Sequence, residues 1–286
     1  MFEKKLEEKI IEAIKKAEIE IPKDVISSLE KAKAREKGIA KTQLEAILEN
    51  IKISLGERIP VCQDTGVMNF YIEAGSNFKY FSELRNSIKE AVKKATKEIP
   101  LRPNAVNPFT GENSGDNTGR NLPYIIWDIK EGDECKINFM PKGGGSENMS
   151  VLRMLNPEGG IFEAKKFILE HIINIGGKPC PPTILGVGIG GGAEVCLCLA
   201  KKALFRKIGE RHPEERIAKM EEELIELINK SGVGPMGLGG KTTVLDVHIE
   251  YAYRHPGSFP LGIVIQCWAN RRSSVRIKND GSIEVI

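Results

Sequence analysis

The sequence lacks any run of apolar residues long enough to span a lipid bilayer, for which roughly 18 to 20 are needed. The first ten residues, MFEKKLEEKI, also lack the apolar core of a secretory signal peptide. No concentrated basic patch is present either: 42 Lys and Arg against 39 Asp and Glu leave a net charge of +3, and the basic residues alternate with Glu. We therefore expect a cytoplasmic protein that binds neither membrane nor nucleic acid.

Closely paired metal-ligand cysteines are missing as well. None of the six cysteines belongs to a C-x-x-C pair, so neither a zinc ribbon nor a ferredoxin-type run is indicated. In a reducing compartment, cysteines are thiols, catalytic groups or metal ligands more often than disulfides. Cys135, Cys196 and Cys198 lie in the apolar segments CKINF and AEVCLCLAKKALF, where we expect small, buried, structural side chains.

The other three cysteines lie where regular structure is expected to stop. Cys62 is in VCQDTG, Cys180 is in GGKPCPP, and Cys267 follows the strand-like LGIVIQ. Irregular, glycine-rich backbone can direct amide groups at sulfur and lets an inorganic cluster approach closely. Spacing alone leaves two interpretations open, a shared iron–sulfur cluster or unconnected thiols. Three thiolates on a four-iron cluster would leave one iron open to act as a Lewis acid.

Groups suited to an anionic substrate are present in two of the polar segments. Gln63 and Asp64 follow Cys62 directly. The Asp64 carboxylate could transfer a proton, or it could cap a turn that Gly66 completes. The segment KGGGSEN, residues 142–148, could form an anion-binding nest of glycine amides or a flexible hairpin tip.

Cations that could hold a carboxylate are Arg102 in LRPNAVNP, His255 in YRHPGSFP, and Arg271 and Arg272 after Cys267. Arginine is suited to gripping a carboxylate through two hydrogen bonds. Each of these residues taken alone is equally compatible with a solvent-exposed position. His255 is the best placed of them, because it precedes a Pro-Gly turn and the strand that leads to Cys267.

Two glycine-rich segments resemble nucleotide-binding loops. Residues 188–193, GIGGGA, match G-x-G-x-x-A, but the acid that follows at Glu210 precedes another helical pattern instead of ending a second strand. Residues 234–243, GPMGLGGKTT, end like a P-loop, but a predicted helix precedes them and a strand follows, the reverse of the P-loop order. We therefore expect neither a dinucleotide nor an ATP site.

Apolar residues at helical spacing dominate the first hundred residues, whereas strands and helices alternate beyond them. The predicted strands are 124–129, 136–140, 183–187, 243–252 and 261–266, and the later helices are 161–174, 193–207 and 213–230. This pattern predicts an α+β fold in which a helical N-terminal part packs on a mixed β-sheet core with further helices. We expect a single domain over 1–286, mostly helical to about residue 100 and mixed over 101–286, with two separate domains as the alternative.

Six segments together resemble one known family. VCQDTG, KGGGSEN, KPCPPT, GVGIGGG, GPMGLGGKTT and QCWANRR are similar to the α part of class I fumarate hydratases and L-tartrate dehydratases, and the similarity covers nearly the whole chain. The resemblance implies a hydro-lyase with a [4Fe-4S] cluster on Cys62, Cys180 and Cys267. It also implies that Asp64 is the catalytic acid, and that the substrate is contacted by Gln63, Arg102, Gly144 and His255.

The same resemblance implies a partner and a reaction. Single-chain members of the family carry an additional domain, whereas this sequence ends at Ile286, soon after QCWANRR. We therefore expect an α subunit that is inactive alone, completes its active site with a separate β subunit, and forms an α dimer within a heteromer. The implied reaction is the reversible hydration of fumarate to (S)-malate, with L-tartrate dehydration as the alternative. The alternative from another class is a non-catalytic iron–sulfur protein for electron transfer or sensing, which an open iron beside substrate-binding groups disfavours.

Overall fold

The structure, a computed structural model, describes residues 2–286. The α-helices in this range are α1 (Phe2–Ile19), α2 (Lys23–Arg35), α3 (Gly38–Glu57), α4 (Phe81–Glu98), α5 (Gly144–Glu147), α6 (Gly160–Ile175), α7 (Ala193–Ala203) and α8 (Glu215–Asn229). The strands are β1 (Val67–Gly75), β2 (Tyr124–Lys130), β3 (Cys135–Lys142), β4 (Val151–Leu155), β5 (Thr183–Gly191), β6 (Val244–Arg254), β7 (Phe259–Gln266), β8 (Ser273–Ile277) and β9 (Ile283–Val285).

The described chain divides into two compact units, each assembled from segments that are distant in sequence. Unit 1 comprises the residues up to 21 together with 50–144 and 271–286, and unit 2 comprises 22–49 and 145–270. Each unit contains one mixed β-sheet with helices against it, which confirms the predicted α+β class. The expectation of a single functional domain over 1–286 stays a prediction.

Unit 1 is built around a five-stranded sheet in the order β2-β1-β3-β8-β9. Strands β1 and β2 run parallel, and the other neighbours run antiparallel. Alternate residues of β1 are buried, among them Phe70, Ile72 and Ala74, as the period of two in a strand requires. The apolar stripe of α1, with Leu6 and Ile10 at its start, and one face of α4 complete this core.

Unit 2 contains a four-stranded sheet in the order β4-β7-β5-β6, in which β5 and β6 are parallel and β7 is antiparallel to both of its neighbours. Leu261, Ile263 and Ile265 of β7 share a core with α6 and α8. Because successive side chains of a strand point to opposite faces, Gly262 and Gln266 face the other side, where α7 packs. The sheet of unit 2 is therefore covered by helices on both faces.

Helix α7 approaches its sheet closely because glycines occupy the facing positions. A Cβ atom at Gly188 would lie 1.8 Å from the carbonyl oxygen of Cys196, and one at Gly186 would lie 1.9 Å from that of Ala200. Side chains at these positions would therefore collide with helix backbone. Gly188, the first glycine of the GIGGGA segment, therefore serves close helix–strand packing, and Glu210 lies between α7 and α8 rather than at the end of a strand.

A buried ionic network joins β6 of unit 2 to the segment before α8. His248 places its two ring nitrogens 3.0 Å from a carboxylate oxygen of Asp246 and 3.1 Å from the carbonyl oxygen of Ala203. Asp246 also pairs with Arg211, which reaches Glu221 as well. Burial acts to raise the pKa of Asp246, but the hydrogen bond and charge of His248 and the contact with Arg211 hold it below its usual value. Every member of this network has a polar partner inside the unit.

Several predicted elements differ from the structure. Strands β1, β4, β8 and β9 were not expected, and β1 lies inside the stretch predicted to be mostly helical. Helix α2 ends at Arg35, because Glu36 adopts an extended conformation. Gly38, with φ of 53°, begins α3. None of the helices among residues 2–286 combines the length and hydrophobicity that a bilayer crossing requires.

We expect Gly188→Ala to destabilise the protein by about 1 to 3 kcal/mol, because the added methyl group meets α7 backbone that cannot rotate away. The matched control is Gly56→Ala in α3, where the new Cβ has no atom within 4 Å. That change should stabilise by about 0.5 to 1 kcal/mol through helix propensity. Urea unfolding of both variants beside the parent measures the two effects. A neutral Gly188→Ala variant would contradict the close packing of α7.

Candidate functional site

The carboxylate of Asp64 joins two segments of unit 1 that the sequence analysis singled out separately. One oxygen accepts a hydrogen bond of 3.0 Å from the amide of Gly66, and the other accepts one of 2.8 Å from the amide of Gly144. The first bond is the predicted turn, which Gly66 closes with φ of 75°. The second shows that the glycine segment is not a hairpin tip, since Gly144 begins the one-turn helix α5. In the structure, the anion bound by its amide is Asp64 itself.

A buried ion pair supports the backbone of Asp64 from behind. The guanidinium of Arg271 lies 2.6 Å from Glu18 of α1 and donates a 3.0 Å hydrogen bond to the carbonyl oxygen of Asp64. Arg271 is 1% exposed and Glu18 is 0% exposed, so this charge pair is held away from water. Burial raises the pKa of Glu18 to about 7, although the charge of Arg271 and its hydrogen bond act to lower it. Arg271 therefore positions the site and is not the exposed substrate cation that its sequence context allowed.

Arg102 lies beside the same turn of unit 1. Its amide donates a 3.0 Å hydrogen bond to the hydroxyl of Thr65, the residue that follows Asp64. The side chain of Asn104 bonds the carbonyl oxygen of Gly66 at 3.1 Å, which fixes the segment further. The Arg102 side chain is exposed and forms no ion pair within residues 2–286, so its guanidinium is available to an anion. Asp64, Gly144 and Arg102 are thus brought together.

Cys62 and Gln63 precede Asp64 in irregular backbone of the same unit. Cys62 is half-buried and Gln63 is exposed. The residue before them, Val61, is held at both backbone groups: its amide bonds the carbonyl oxygen of Glu18 at 2.9 Å, and its carbonyl oxygen accepts from the side chain of Asn50 at 2.8 Å. Cys62 therefore follows an anchored residue and precedes Asp64 by two positions in the chain.

Cys180 and Cys267 are brought together in unit 2 by antiparallel pairing of the strands beside them. Cys180 lies shortly before β5 and Cys267 directly follows β7, and the two strands pair antiparallel up to Gln266 opposite Ile184. The amide of Trp268 donates a 3.3 Å hydrogen bond to the carbonyl oxygen of Cys180. Cys180 has a φ of 55°, a backbone conformation that residues other than glycine rarely adopt. Both cysteines are half-buried.

Two buried amide side chains flank Cys267. Gln266 is 1% exposed and Asn270 is 0% exposed, and neither amide group forms a hydrogen bond within the described chain. Buried polar groups are nearly always hydrogen-bonded in folded proteins. A polar group from outside the described chain therefore fits beside Cys267, which is compatible with a bound inorganic cluster.

His255 lies in unit 2 on the exposed turn between β6 and β7. Its Nδ1 accepts a 3.1 Å hydrogen bond from the amide of Gly257. The ring therefore carries its proton on Nε2 when neutral. Arg254 clamps the same turn through the carbonyl oxygens of three residues: His255, Pro256 and Ser258.

The remaining cysteines confirm the expected buried role in two cases and contradict it in one. Cys135 and Cys196 are fully buried, and burial raises the pKa of Cys135 to about 12 and raises that of Cys196 as well. The expectation for Cys198 was wrong, because its side chain is exposed. Two residues along a helix turn the side chain to the opposite face, so Cys196 and Cys198 of α7 cannot both point into the core.

The three predicted ligands are cysteines, whose thiolates are the usual ligands of iron–sulfur clusters. Among residues 2–286, no three His, Cys, Asp or Glu side chains converge as they would around one metal ion. In a four-iron cluster each thiolate binds a different iron, so the cysteine sulfurs are spread around an inorganic core. Cys62, Cys180 and Cys267 are all half-buried, lie outside helices and strands, and take part in no disulfide.

Comparison with known proteins assigns the family. Residues 7–276 match the model of the family described as Fumarate hydratase (Fumerase). The chain belongs to the fumarate hydratase (Fumerase) family. This confirms the resemblance on which the sequence analysis relied, and the match covers every segment that carried it.

Several named proteins are similar to this chain over nearly their whole length. A Methanocaldococcus jannaschii protein named as a candidate L(+)-tartrate dehydratase subunit alpha is 50% identical over 284 residues, 98% of this chain and 100% of that protein. The L(+)-tartrate dehydratase subunits alpha of Escherichia coli and Shigella boydii are 37% and 36% identical over 266 residues, 92% of this chain and 88% of each relative.

The sequence analysis missed three residues that the structure places near the predicted site residues, Glu18, Gln266 and Asn270, and it did not predict the ion pair of Arg271. Glu18 and Arg271 form a pair across 253 positions of the sequence, and no local pattern links them. Gln266 and Asn270 flank a predicted ligand within QCWANRR, and an amide next to a cysteine in an otherwise apolar strand end was the available signal. The roles of the predicted residues themselves stay predictions.

We expect Arg271→Met to destabilise the protein more at pH 8 than at pH 5. The pKa of Glu18 is raised when folded, so its contribution to stability falls as pH rises from about 4.5, its unfolded value, to about 7. Without Arg271 the carboxyl loses the cation that favours its charged form, and the penalty above pH 7 grows. Breaking a buried pair costs about 3 to 5 kcal/mol when one charge is left unpaired.

Urea unfolding at both pH values measures this difference. The control is Arg276→Met on β8, whose partner Glu284 is exposed, and it should cost less than about 1 kcal/mol at either pH. An equal loss for Arg271→Met at pH 5 and pH 8 would show that Glu18 does not take up a proton in the folded state.

Proposed function

We propose that this chain is the α subunit of an iron–sulfur hydro-lyase that adds or removes water at a four-carbon dicarboxylate. The observation that carries the proposal is the hydrogen bond from Gly144 to Asp64, which unites the carboxylate and the glycine segment of a family whose model covers residues 7–276. A structural turn alone would need only the bond from Gly66. Arg102 beside the same turn would supply the cation that a dicarboxylate requires.

The names of the relatives bear on the substrate. The sequence analysis expected fumarate, with L-tartrate as the alternative, and each relative described above carries a tartrate dehydratase name. We therefore propose L(+)-tartrate as the first substrate to test and fumarate as the second. The two differ in hydroxyl groups and not in the pair of carboxylates, so Arg102 suits either.

Cys62, Cys180 and Cys267 would hold a [4Fe-4S] cluster in this proposal. When bound, the cluster supplies a Lewis-acidic iron without a protein ligand, which can bind a hydroxyl or carboxylate oxygen of the substrate. The position of Gln266 and Asn270 beside Cys267 supports this assignment, because a polar partner from outside the chain suits their buried amides.

The chain's own side chains would bind the substrate and transfer a proton. The exposed Arg102 would hold one carboxylate, and Gln63 would add a hydrogen bond. Asp64 would exchange a proton with the substrate, since the amides of Gly66 and Gly144 fix the direction of its carboxylate. His255 would donate from Nε2, because Nδ1 already accepts a hydrogen bond.

A separate β subunit would complete the active site. The relatives carry the name subunit alpha, which describes one chain of a larger enzyme, and they align with this chain over 88% to 100% of their length. We propose the same arrangement here, with an α dimer inside the heteromer. The isolated α chain should hold the cluster but turn over neither substrate.

The first experiment counts iron and sulfide after anaerobic reconstitution of the parent and three variants, Cys62→Ser, Cys180→Ser and Cys267→Ser. We expect about four of each per chain in the parent and loss of the cluster in every variant. Cys198→Ser is the matched control, since that cysteine is exposed on α7, and it should retain the parent content. Adding the β chain with L(+)-tartrate or fumarate then identifies the substrate. A parent that binds no iron would reject the proposal.

Asp64→Asn, assayed with the β chain added, tests the proposed acid. The variant keeps the size of the side chain but removes the group that exchanges the proton, so kcat should fall by about 100- to 10,000-fold while iron content stays at the parent level. The exposed Asp133→Asn on the turn before β3 is the control and should change neither quantity. A kcat within twofold of the parent would assign the proton transfer to another residue.

A further inference from the structure

The amides of Gln266 and Asn270 are buried polar groups to which the proposed function gives no role of their own. They lie one residue before and three residues after Cys267, in unit 2. Both oxygen and nitrogen of each amide are buried and without a hydrogen-bond partner within residues 2–286. Exchanging the nitrogen and oxygen positions of either amide would not give it a partner, because both atoms of each amide lack a hydrogen bond.

The position of Gln266 explains why the unit itself offers it no partner. It is the last residue of β7 and pairs with Ile184 of β5, on the sheet face that also carries Gly186 and Gly188. Helix α7 covers those glycines but ends at Ala203. The Gln266 side chain therefore lies at the end of the sheet from which the segments of Cys180 and Cys267 emerge.

Another amide of the same unit shows that this chain can satisfy a polar side chain. Asn229, the last residue of α8, accepts hydrogen bonds from the amides of Thr243 and Val244 and donates one to the carbonyl oxygen of Val244. Gln266 and Asn270 are more buried than Asn229 and have none of these bonds. Their amides are therefore suited to a partner that the chain itself does not supply.

We propose that Gln266 and Asn270 are positioning residues that donate amide N–H hydrogen bonds to sulfur atoms of the cluster held by Cys267 and its fellow ligands. The inference rests on the proposed function, because it requires the cluster. Sulfur atoms of iron–sulfur clusters carry negative charge and accept such bonds, which are a main means of tuning the reduction potential. Donors to sulfur favour the reduced cluster, which carries one more negative charge.

The test compares the reduction potential of the cluster in the parent with that in Gln266→Met and Asn270→Leu, which keep the approximate size of each side chain and remove its N–H groups. Potentials are measured by redox titration of the reconstituted protein followed by electron paramagnetic resonance. We expect the potential to fall in both variants, and in the double variant by at least the equivalent of a tenfold change in the reduction equilibrium, about 59 mV for one electron.

The urea midpoint of the apoprotein is the second measurement. Loss of a structural hydrogen bond would lower this midpoint, whereas loss of the two unsatisfied amides should not. Without the cluster, replacing an unsatisfied buried amide by an apolar group of similar shape should leave the urea midpoint unchanged or raise it. The control is Asn229→Leu, which removes satisfied hydrogen bonds far along the chain from the cysteines. It should lower the urea midpoint of the apoprotein and leave the potential of the cluster at the parent value.

The outcomes separate this inference from the proposed function. A parent that binds no iron rejects the proposed function itself. A parent with a cluster whose potential is the same in the double variant rejects the hydrogen bonds to sulfur and leaves the hydro-lyase assignment intact. A lower urea midpoint of the apo variants would likewise overturn the inference, because the amides would then be bonded without the cluster.

Discussion

The guanidinium of Arg271 is the charge around which the candidate site of unit 1 is organised. A buried cation requires a nearby anion, and Glu18 of α1 supplies it at 2.6 Å. The same guanidinium holds the carbonyl oxygen of Asp64, so the position of the catalytic candidate depends on a helix at the other end of the sequence. The side chain of Asp64 is then directed by the amides of Gly66 and Gly144. Two independent sets of bonds thus fix one residue, one set at its backbone and the other at its carboxylate.

Unit 2 positions its cysteines by strand pairing instead of by charge. The antiparallel pairing of β5 and β7 brings the segment before β5, which contains Cys180, beside the segment after β7, which contains Cys267. The amide of Trp268 joins the two segments through a hydrogen bond to the carbonyl oxygen of Cys180. The closeness of α7 to this sheet depends on Gly186 and Gly188, which admit helix backbone where any side chain would collide. A sheet packed tightly on both faces is rigid, and rigid elements hold site residues more accurately than mobile loops.

Sequence patterns predicted the parts of the fold that are locally encoded. The helices and the long apolar strands β5, β6 and β7 follow from periodicity, whereas β4 and β8 are short and depend on pairing with distant segments. Cys62, Asp64 and Gly144 were predicted from their local sequence and from family resemblance, and the turn between Asp64 and Gly66 was one of two interpretations, but the hydrogen bond from Gly144 to Asp64 was not predicted. The partner of Arg271 lies 253 positions away, and Glu18 has neighbours typical of a solvated helix face. Only tertiary packing distinguishes it from them.

Two regions of unit 2 differ in whether their buried polar groups have hydrogen-bond partners within the described chain. In the network of Asp246, Arg211 and His248, each charge has a partner, and the network contributes to the fold without any outside group. Gln266 and Asn270 are as deeply buried, yet their amides have no partner in the described chain. Since an unsatisfied buried amide costs about 1 to 3 kcal/mol, such residues persist where a bound group repays the loss. If the proposed cluster accepts hydrogen bonds from these two amides, the free energy that their burial costs the chain would be recovered beside Cys267.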